Sequence, residues 1–224
     1  NFIMIKFVKR TLGIGLFEVL KDSYLRLKLP RQGLTSTEYW SRHHVTLKES
    51  KSFEELKNFV SYRRTRYIGM TSLMPTSGHG GKVVLDYGCG PGIESASFAL
   101  ESEGIDLISA DVSKPSLEKA KKLANLLNIN NSRFIQIAPD GFNTNLKDNS
   151  VDLIHCSGVL HHTAEPLKIL NEFKRILKPE GQGQIMIYNY DSLYFHLYVC
   201  YLVKIKLRKF KEMSNKEAFR MSTD

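Results

Sequence analysis

From residue 82 onward the chain alternates short β-rich runs with helical segments, and this alternation limits the possible folds more than any other feature of the sequence. The predicted strands are Lys82–Tyr87, Asp106–Val112, Arg133–Ala138, Val151–Ser157 and Gln184–Asn189. The helical patterns between them run from about Ile93 to Glu103, Pro115 to Leu127 and Pro166 to Leu177, the last before the turn signal Lys178-Pro179-Glu180-Gly181. Strands that alternate with helices form right-handed crossovers. We therefore predict an α/β chain with a doubly wound, mostly parallel sheet that has helices on both faces.

A glycine-rich stretch leads from the first predicted strand into a helix: Val83-Val84-Leu85-Asp86-Tyr87-Gly88-Cys89-Gly90-Pro91-Gly92. Glycine is needed where a chain turns tightly and a ligand lies against its backbone, and the helix that follows offers free N–H groups. A dinucleotide-binding turn would need a small residue at the position of Ile93. The stretch is therefore either a binding loop for another nucleotide-like ligand or a plain strand-to-helix turn.

The pattern Asp-x-Gly-x-Gly-x-Gly, from Asp86 to Gly92, resembles motif I of the class I S-adenosylmethionine-dependent methyltransferases. The resemblance continues, in the order and at the spacing of that family, through Ser109–Ser113, Asp140–Phe142, Asn149–Ser157, Val159–His162 and Phe173–Gly181. It covers about residues 82–190. It implies a Rossmann-like fold, methyltransferase activity on a small-molecule acceptor and S-adenosylmethionine as the cofactor.

The resemblance also assigns cofactor-binding residues. It implies that Asp86 orients the glycine loop, that Asp111 accepts both ribose hydroxyls and that Asp140 binds the adenine amino group. The full set is Asp86, Gly88, Cys89, Gly90, Gly92, Asp111, Val112, Asp140, Gly141, Phe142 and Ser157. A strand-end acid at Asp86, an exposed surface acid at Asp111 and a strand terminator at Ser157 remain alternatives. Cys89 lies beside a helix N-terminus, which could lower its pKa, although a small wall of the pocket is the favoured role.

Methyl transfer from a sulfonium depends mainly on holding the acceptor in line with the methyl carbon and excluding water. A general base is needed only when the acceptor is protonated at neutral pH. His161, His162 and Tyr190 are the candidates, because ligands bind beyond the carboxyl ends of parallel strands. No Asp or Glu accompanies the two histidines at a ligand-like spacing, so we predict no metal site. His155 is expected to be packed or to lie at the surface.

Helical periodicity before residue 80 predicts an N-terminal helical addition. A helix is expected from about Ser52, where Glu55 completes a capping box, to Met74. Arg63 is a candidate ligand for the cofactor carboxylate. An aromatic and histidine cluster would roof the active site: Tyr39, Trp40, His43 and His44. The alternative is a solvated basic helix face with ordinary aromatic packing.

The formal charge of +9 is concentrated at the two ends of the chain. Residues 1–31 carry +5 and residues 191–224 carry +3, which leaves the middle nearly neutral. A near-neutral core argues against binding along nucleic-acid phosphates, so a small-molecule acceptor is favoured over nucleic acid. A nucleic-acid methyltransferase and a cofactor-binding protein without turnover remain the alternatives.

We divide the chain into an N-terminal segment that forms a substrate lid (1–75), a cofactor-binding core (76–190) and a C-terminal helix with a tail (191–224). The helical run from Leu193 to Leu207 could lie at a membrane surface, but packing on the sheet or over the pocket is favoured. The family usually adds a helix and an antiparallel hairpin after the fifth strand. Here the sequence predicts one helix and a polar tail, so we expect either a chain truncated at its C-terminus or an omitted hairpin. The unpaired sheet edge would favour a homodimer or a loss of stability.

Three cysteines, Cys89, Cys156 and Cys200, lie far apart without a CxxC pair. A disulfide framework is therefore not expected, and a reducing, cytoplasmic location is predicted. Basic residues interrupt the apolar character of residues 1–20, which predicts neither a signal peptide nor a membrane span there.

Overall fold

The computed structural model describes residues 36–42, 52–65, 69–138, 142–187, 189, 193–215, 217 and 218. These residues belong to two compact units, one within Gly33–Ile187 and one in the part of the chain that begins at Tyr188.

The described part of the first unit contains a sheet of five parallel strands in the order β3-β2-β1-β4-β5. The strands are β1 (Val83–Tyr87), β2 (Asp106–Asp111), β3 (Ser132–Gln136), β4 (Val151–Ser157) and β5 (Leu177–Met186). The predicted α/β fold with a parallel sheet is confirmed. Because the chain moves outward from β1 in one direction and then returns to place β4 on its other side, the order reverses between β1 and β4. Ligands of such sheets bind at this switch point, beyond the carboxyl ends of the strands.

Helices precede, connect and cover the strands. They are α1 (Ser36–Arg42), α2 (Phe53–Thr65), α3 (Met70–Leu73), α4 (Ile93–Glu101), α5 (Lys114–Leu126) and α6 (Pro166–Ile176), with a 3₁₀ turn at Leu160–His162. Local signals explain several boundaries. The Ser113 hydroxyl accepts a hydrogen bond from the Ser116 N–H at the start of α5, and Pro166 opens α6. Described residues 142–150, before β4, form a loop.

The core lies on both faces of the sheet. On one face Leu85, Ile108 and Ile154 pack against Ile169 and Phe173 of α6. On the other face a second cluster joins strand residues to α4: Val84, Leu107 and Leu153 with Phe98 and Ile105. Helices therefore cover both faces, as the alternation of strands and helices predicts.

The fifth strand differs from the prediction. It begins at Leu177, directly after α6, rather than at Gln184. Val151 pairs with Leu177, whereas Leu153 pairs with Gln182, so the four residues of the predicted turn bulge out of the ladder opposite a single residue of β4. Pro179 within this bulge has no N–H to donate to a neighbouring strand.

The single helix predicted from Ser52 to Met74 is also wrong. Its start is confirmed, because the Glu55 N–H donates to the Ser52 hydroxyl at 3.2 Å. However, α2 ends at Thr65 and α3 begins after Gly69, which has φ of +78°. A residue in the left-handed conformation cannot continue a right-handed helix, so the helix is interrupted at Gly69.

The described residues after Tyr188 are mainly helical. α7 (Leu193–His196) continues into a π-helix (Leu197–Lys206), over the range where a helix is predicted. This unit has its own small core, which consists of Tyr198, Val199, Leu202, Val203 and Ala218, with Leu207 and Phe210 packed against it.

Candidate active site

The glycine loop after β1 is held against β2 by its backbone. The N–H groups of Gly88 and Cys89 both donate to the Ala110 carbonyl, at 2.7 and 3.0 Å. Gly88 has φ of +75°, and a Cβ there would lie 2.3 Å from a methyl carbon of Val159. Gly90 has φ of +54°, but the space beside it is open, with no atom within 4 Å of a Cβ built there. Gly88 is therefore required by packing on the turn after β4, while Gly90 leaves room for a ligand against the backbone.

Asp111 lies at the carboxyl end of β2 and is bonded to this loop. One carboxylate oxygen accepts from the Gly90 N–H at 2.8 Å, and the other accepts from the Ser113 N–H at 2.8 Å. Burial raises the pKa of Asp111, and backbone N–H groups of Ser113, Gly90 and Val112 oppose that rise. A carboxylate has about four acceptor positions, so these backbone contacts leave acceptor capacity for a hydroxyl of a ligand.

Asp86 is buried, with only 2% of its surface exposed to solvent. Its carboxylate accepts from the Ser95 hydroxyl at 2.6 Å, and the Ser95 oxygen accepts from the Ser109 hydroxyl at 2.8 Å. Burial raises the pKa of Asp86 to about 6, although His155 and Ser95 lower it. Asp86 thus fastens the first turn of α4 to the sheet directly beneath the glycine loop.

Cys89 does not have the chemistry of a nucleophile. Burial raises the pKa of its thiol well above the ordinary value, and the nearby Asp86 and Asp111 carboxylates raise it further. The alternative of a thiol pKa lowered by the helix N-terminus is therefore not supported. A protonated, buried thiol is compatible with a small wall of the pocket.

The remaining cofactor candidates lie at the carboxyl ends of the strands or outside the described residues. Val112 follows β2, and Ser157 ends β4; both are half-buried. Phe142 is half-buried against the core, with the Lys168 ammonium 5.3 Å from its ring centroid. Asp140, Gly141 and Tyr190 lie outside the described residues.

The two adjacent histidines form the 3₁₀ turn that follows β4. Their ring centroids are 4.1 Å apart, and the Trp40 ring of α1 meets the His162 ring at 5.2 Å. Tyr39 packs edge-on against Trp40, and α1 also contacts α5. The N-terminal segment therefore reaches residues beyond the carboxyl end of β4. His43 and His44 lie outside the described residues.

The structure places Arg63 and Arg64 differently. Arg63 is half-buried, whereas Arg64 is 2% exposed, pairs with the Glu94 carboxylate and donates to the Met74 carbonyl at 2.5 Å. Arg64 is not among the site residues predicted from the sequence. The signal was the four-residue spacing of Leu56, Val60 and Arg64, which puts the arginine on the buried side of α2.

Glu94 is not among the predicted site residues either, and His155, expected to be packed or to lie at the surface, is packed. His155 is fully buried; its Nδ1 lies 3.1 Å from the Gln184 Oε1, and its Nε2 lies 3.8 Å from a Glu94 oxygen. A histidine two residues after Leu153 on β4 shares the face of that core residue, so strand alternation predicts the burial but not its partners.

Comparison with known proteins identifies the family. Residues 78–218 match the profile of the family described as "Methyltransferase domain". The chain therefore belongs to this methyltransferase family. The resemblance to the class I S-adenosylmethionine-dependent enzymes is confirmed, and S-adenosylmethionine is the cofactor of the family.

Individual relatives are similar at moderate identity. The mitochondrial ubiquinone biosynthesis O-methyltransferase of Schizosaccharomyces pombe is 31% identical over 182 residues, which are 76% of this chain and 65% of the relative. The thiol S-methyltransferase TMT1B of Mus musculus is 31% identical over 127 residues, which are 56% of this chain and 49% of the relative. The chain thus spans about half to two thirds of the length of these relatives. A solved S-adenosylmethionine-dependent methyltransferase from Aquifex aeolicus is 26% identical, covers 58% of this chain and 69% of its own, and superposes with a TM-score of 0.47.

The described residues fit this cofactor. The open space beside Gly90 admits a ligand to the loop backbone, and the Asp111 carboxylate below it retains acceptor positions for ribose hydroxyls. The half-buried ring of Phe142 offers an apolar surface for a purine.

Proposed function

We propose that the protein transfers the methyl group of S-adenosylmethionine to a small-molecule acceptor. The bond between the Asp111 carboxylate and the Gly90 N–H carries this proposal. It supports a ribose-binding role for Asp111, because it holds this acid under an open glycine loop at the switch point of the sheet.

Each cofactor-binding candidate has a proposed role. Asp86, Gly88, Cys89, Gly90 and Gly92 form and support the loop beside the methionyl end. Asp111 and Val112 bind the ribose, and Asp140, Gly141 and Phe142 enclose the adenine. Ser157 and Arg63 approach the amino-acid end of the cofactor.

The sulfonium of the bound cofactor supplies an activated methyl group, so the chain's own residues need mainly to orient the acceptor and exclude water. Because the O- and S-methyltransferases among the relatives act on oxygen and sulfur, we propose a hydroxyl or thiol acceptor. Such an acceptor loses a proton, and His161, His162 and Tyr190 are the candidate bases.

The N-terminal segment, 1–75, is proposed as a lid over a core of residues 76–190, with 191–224 as a C-terminal addition. The contact between Trp40 and His162 supports the lid, because it brings an aromatic ring of α1 to the turn that holds two candidate bases. An aromatic ring there would shield the acceptor from water.

Location and partners are proposals on separate grounds. Cys89, Cys156 and Cys200 are free thiols, which supports a cytoplasmic enzyme. In the part of the chain that the structure describes, no helix has both the length and the apolar character to cross a bilayer. Val199, Leu202 and Val203 are buried in the core of their own unit, so these three residues do not face a membrane surface. A homodimer is proposed from the position of β5 at one end of the described sheet, and light scattering tests it.

Calorimetric titration tests the function. We expect binding of S-adenosylmethionine and of its demethylated product, and no binding of NAD, because Ile93 stands where a dinucleotide turn needs a small residue. Tight NAD binding without a response to S-adenosylmethionine would contradict the proposal. Cofactor binding without formation of the demethylated product over a panel of phenols and thiols would instead indicate a binding protein without turnover. Salt-sensitive binding of oligonucleotides would favour a nucleic-acid acceptor.

A further inference from the structure

Arg64 connects three elements around the start of α4. Its guanidinium comes from the last turn of α2, pairs with Glu94 in the first turn of α4 and donates to the Met74 carbonyl, at the end of α3, at 2.5 Å. Arg64 is 2% exposed and the Glu94 side chain is 22% exposed. This is a largely buried ion pair between the N-terminal segment and the helix that follows the glycine loop.

Apolar contacts already dock α2 without this ion pair. Leu56 and Val60 of α2 lie in one buried cluster with Ile93 and Ala96 of α4. The ion pair therefore adds to apolar contacts between α2 and α4. A buried arginine and glutamate are costly to desolvate, and their value in such places is often to fix one geometry.

The ion pair lies next to the contacts that support the glycine loop. Glu94 precedes Ser95, whose hydroxyl donates to Asp86, and the Ala96 N–H donates to the Gly92 carbonyl at 2.8 Å. The Glu94 carboxylate is also close enough to Asp86 for the two to repel each other. Without Arg64, the nearest cation for Glu94 among the described residues would be His155, at 3.8 Å and only if that ring is protonated.

We propose that Arg64 is a positioning residue of the cofactor site, and that its ion pair with Glu94 holds the first turn of α4 where the glycine loop needs it. This inference rests on the proposed function. It makes cofactor affinity dependent on the docking of the N-terminal segment, although Arg64 itself does not bind the cofactor.

The test is titration of S-adenosylhomocysteine, which binds without turnover, into variants of the whole chain. Arg64→Gln removes the ion pair and should weaken binding at least ~10-fold, and Arg64→Gln combined with Glu94→Gln, which also lacks the pair, should stay within about 3-fold of the single variant. Lys57→Gln, on an exposed position of the same helix, is the matched control and should bind like the unmodified protein.

Thermal denaturation of the same variants separates positioning from stability. Folded Arg64→Gln protein that is less stable but binds S-adenosylhomocysteine normally would overturn the inference. So would a double variant that binds like the unmodified protein, because the uncompensated Glu94 charge would then be the cause of the loss. If Arg64→Gln does not fold by circular dichroism, Arg64→Lys replaces it. That variant keeps the charge but loses the fork that reaches both Glu94 and Met74. Binding at least about 3-fold weaker would then support the inference, and unchanged binding would overturn it. Failure of the unmodified protein to bind S-adenosylhomocysteine would refute the proposed function instead.

Discussion

The two faces of the sheet are formed by the same strands but carry different chemistry. Towards α6 the buried residues of the central strands are apolar, such as Leu85, Ile108 and Ile154. Towards α4 each central strand changes from apolar to polar as it approaches its carboxyl end. The polar residues align in register across four strands: Ser109 of β2, Asp86 of β1, His155 of β4 and Gln184 of β5.

This polar row lies at the level where the glycine loop begins. Hydrogen bonds join its members to α4 and to the chain before β1, through Ser95 and through the Pro75 carbonyl, which accepts from the Gln184 amide at 3.2 Å. A buried acid and histidine stabilise a fold less than apolar packing does. We infer that the α6 face supplies most of the stability, while the α4 face gives up stability to hold the site.

The largest effect is expected on the α6 face. Phe173 is 3% exposed, and its ring meets the Tyr87 ring edge-on at 4.9 Å. Phe173→Ala should lower the free energy of unfolding by ~3–5 kcal/mol, because it removes a buried aromatic ring and leaves a cavity. Urea denaturation measures this loss, with Phe173→Leu as a milder control. A midpoint equal to that of the unmodified protein would show that this face is not the main source of stability.

Asp111 tests the functional side. Asp111→Ala removes the proposed acceptor of two ribose hydroxyls and should weaken cofactor binding by ~2–3 kcal/mol, with little change in the sheet. Asp106→Ala is the matched control, because Asp106 begins the same strand, is 50% exposed and pairs with Arg133 away from the loop. Calorimetry that finds normal affinity in Asp111→Ala would place the ribose elsewhere.

Substitution of Asp86 should raise the stability of the protein, whereas substitution of an apolar core residue lowers it. Its pKa is raised from 3.8 to about 6, so the folded protein binds this proton more tightly than the unfolded chain does. Ionisation of Asp86 therefore opposes folding above about pH 6, and this cost disappears as the pH falls towards 4. Asp86→Asn, which keeps an acceptor for Ser95, should raise stability by about 2 kcal/mol at neutral pH.

Thermal denaturation across this pH range measures the effect of Asp86→Asn. The stabilisation should shrink with falling pH, and cofactor affinity should decrease although the protein becomes more stable. Equal destabilisation at both ends of the range would mean that attraction between Asp86 and His155 outweighs the cost of burial.

Local signals explain which parts of this fold could be predicted. β4 was predicted at its observed bounds, and α4, α5 and α6 were predicted within two residues, because each helix begins beside a residue such as Gly92, Ser113 or Pro166. The start of β5 depends on how its residues pair with β4, and no local signal marks a bulge of that kind. The break before α3 depended on the conformation of Gly69, which a helical pattern does not reveal.

The candidate site also has features that local sequence predicts and features that it does not. Its glycines and strand-end acids follow one another in the order of a known motif, so the loop and Asp111 could be located from the sequence. The partners Arg64 and Glu94 are 30 residues apart. Their pairing depends on the angle at which α2 docks, and this angle is a tertiary property that periodicity cannot supply.

The smallest effect is expected at Ser109, the fully buried end of the polar row that donates to the Ser95 hydroxyl at 2.8 Å. Ser109→Ala should cost about 1 kcal/mol of stability, since it removes one neutral hydrogen bond and leaves the bond from Ser95 to Asp86 intact. The combination with Asp86→Asn is more informative than the single change. Ser95 contacts both residues, so if the row acts as one network, the two effects should differ from additivity by ~0.5 kcal/mol or more. Additive effects in urea denaturation would mean that these polar residues act independently. The lower stability of the α4 face would then come from the burial of Asp86 alone.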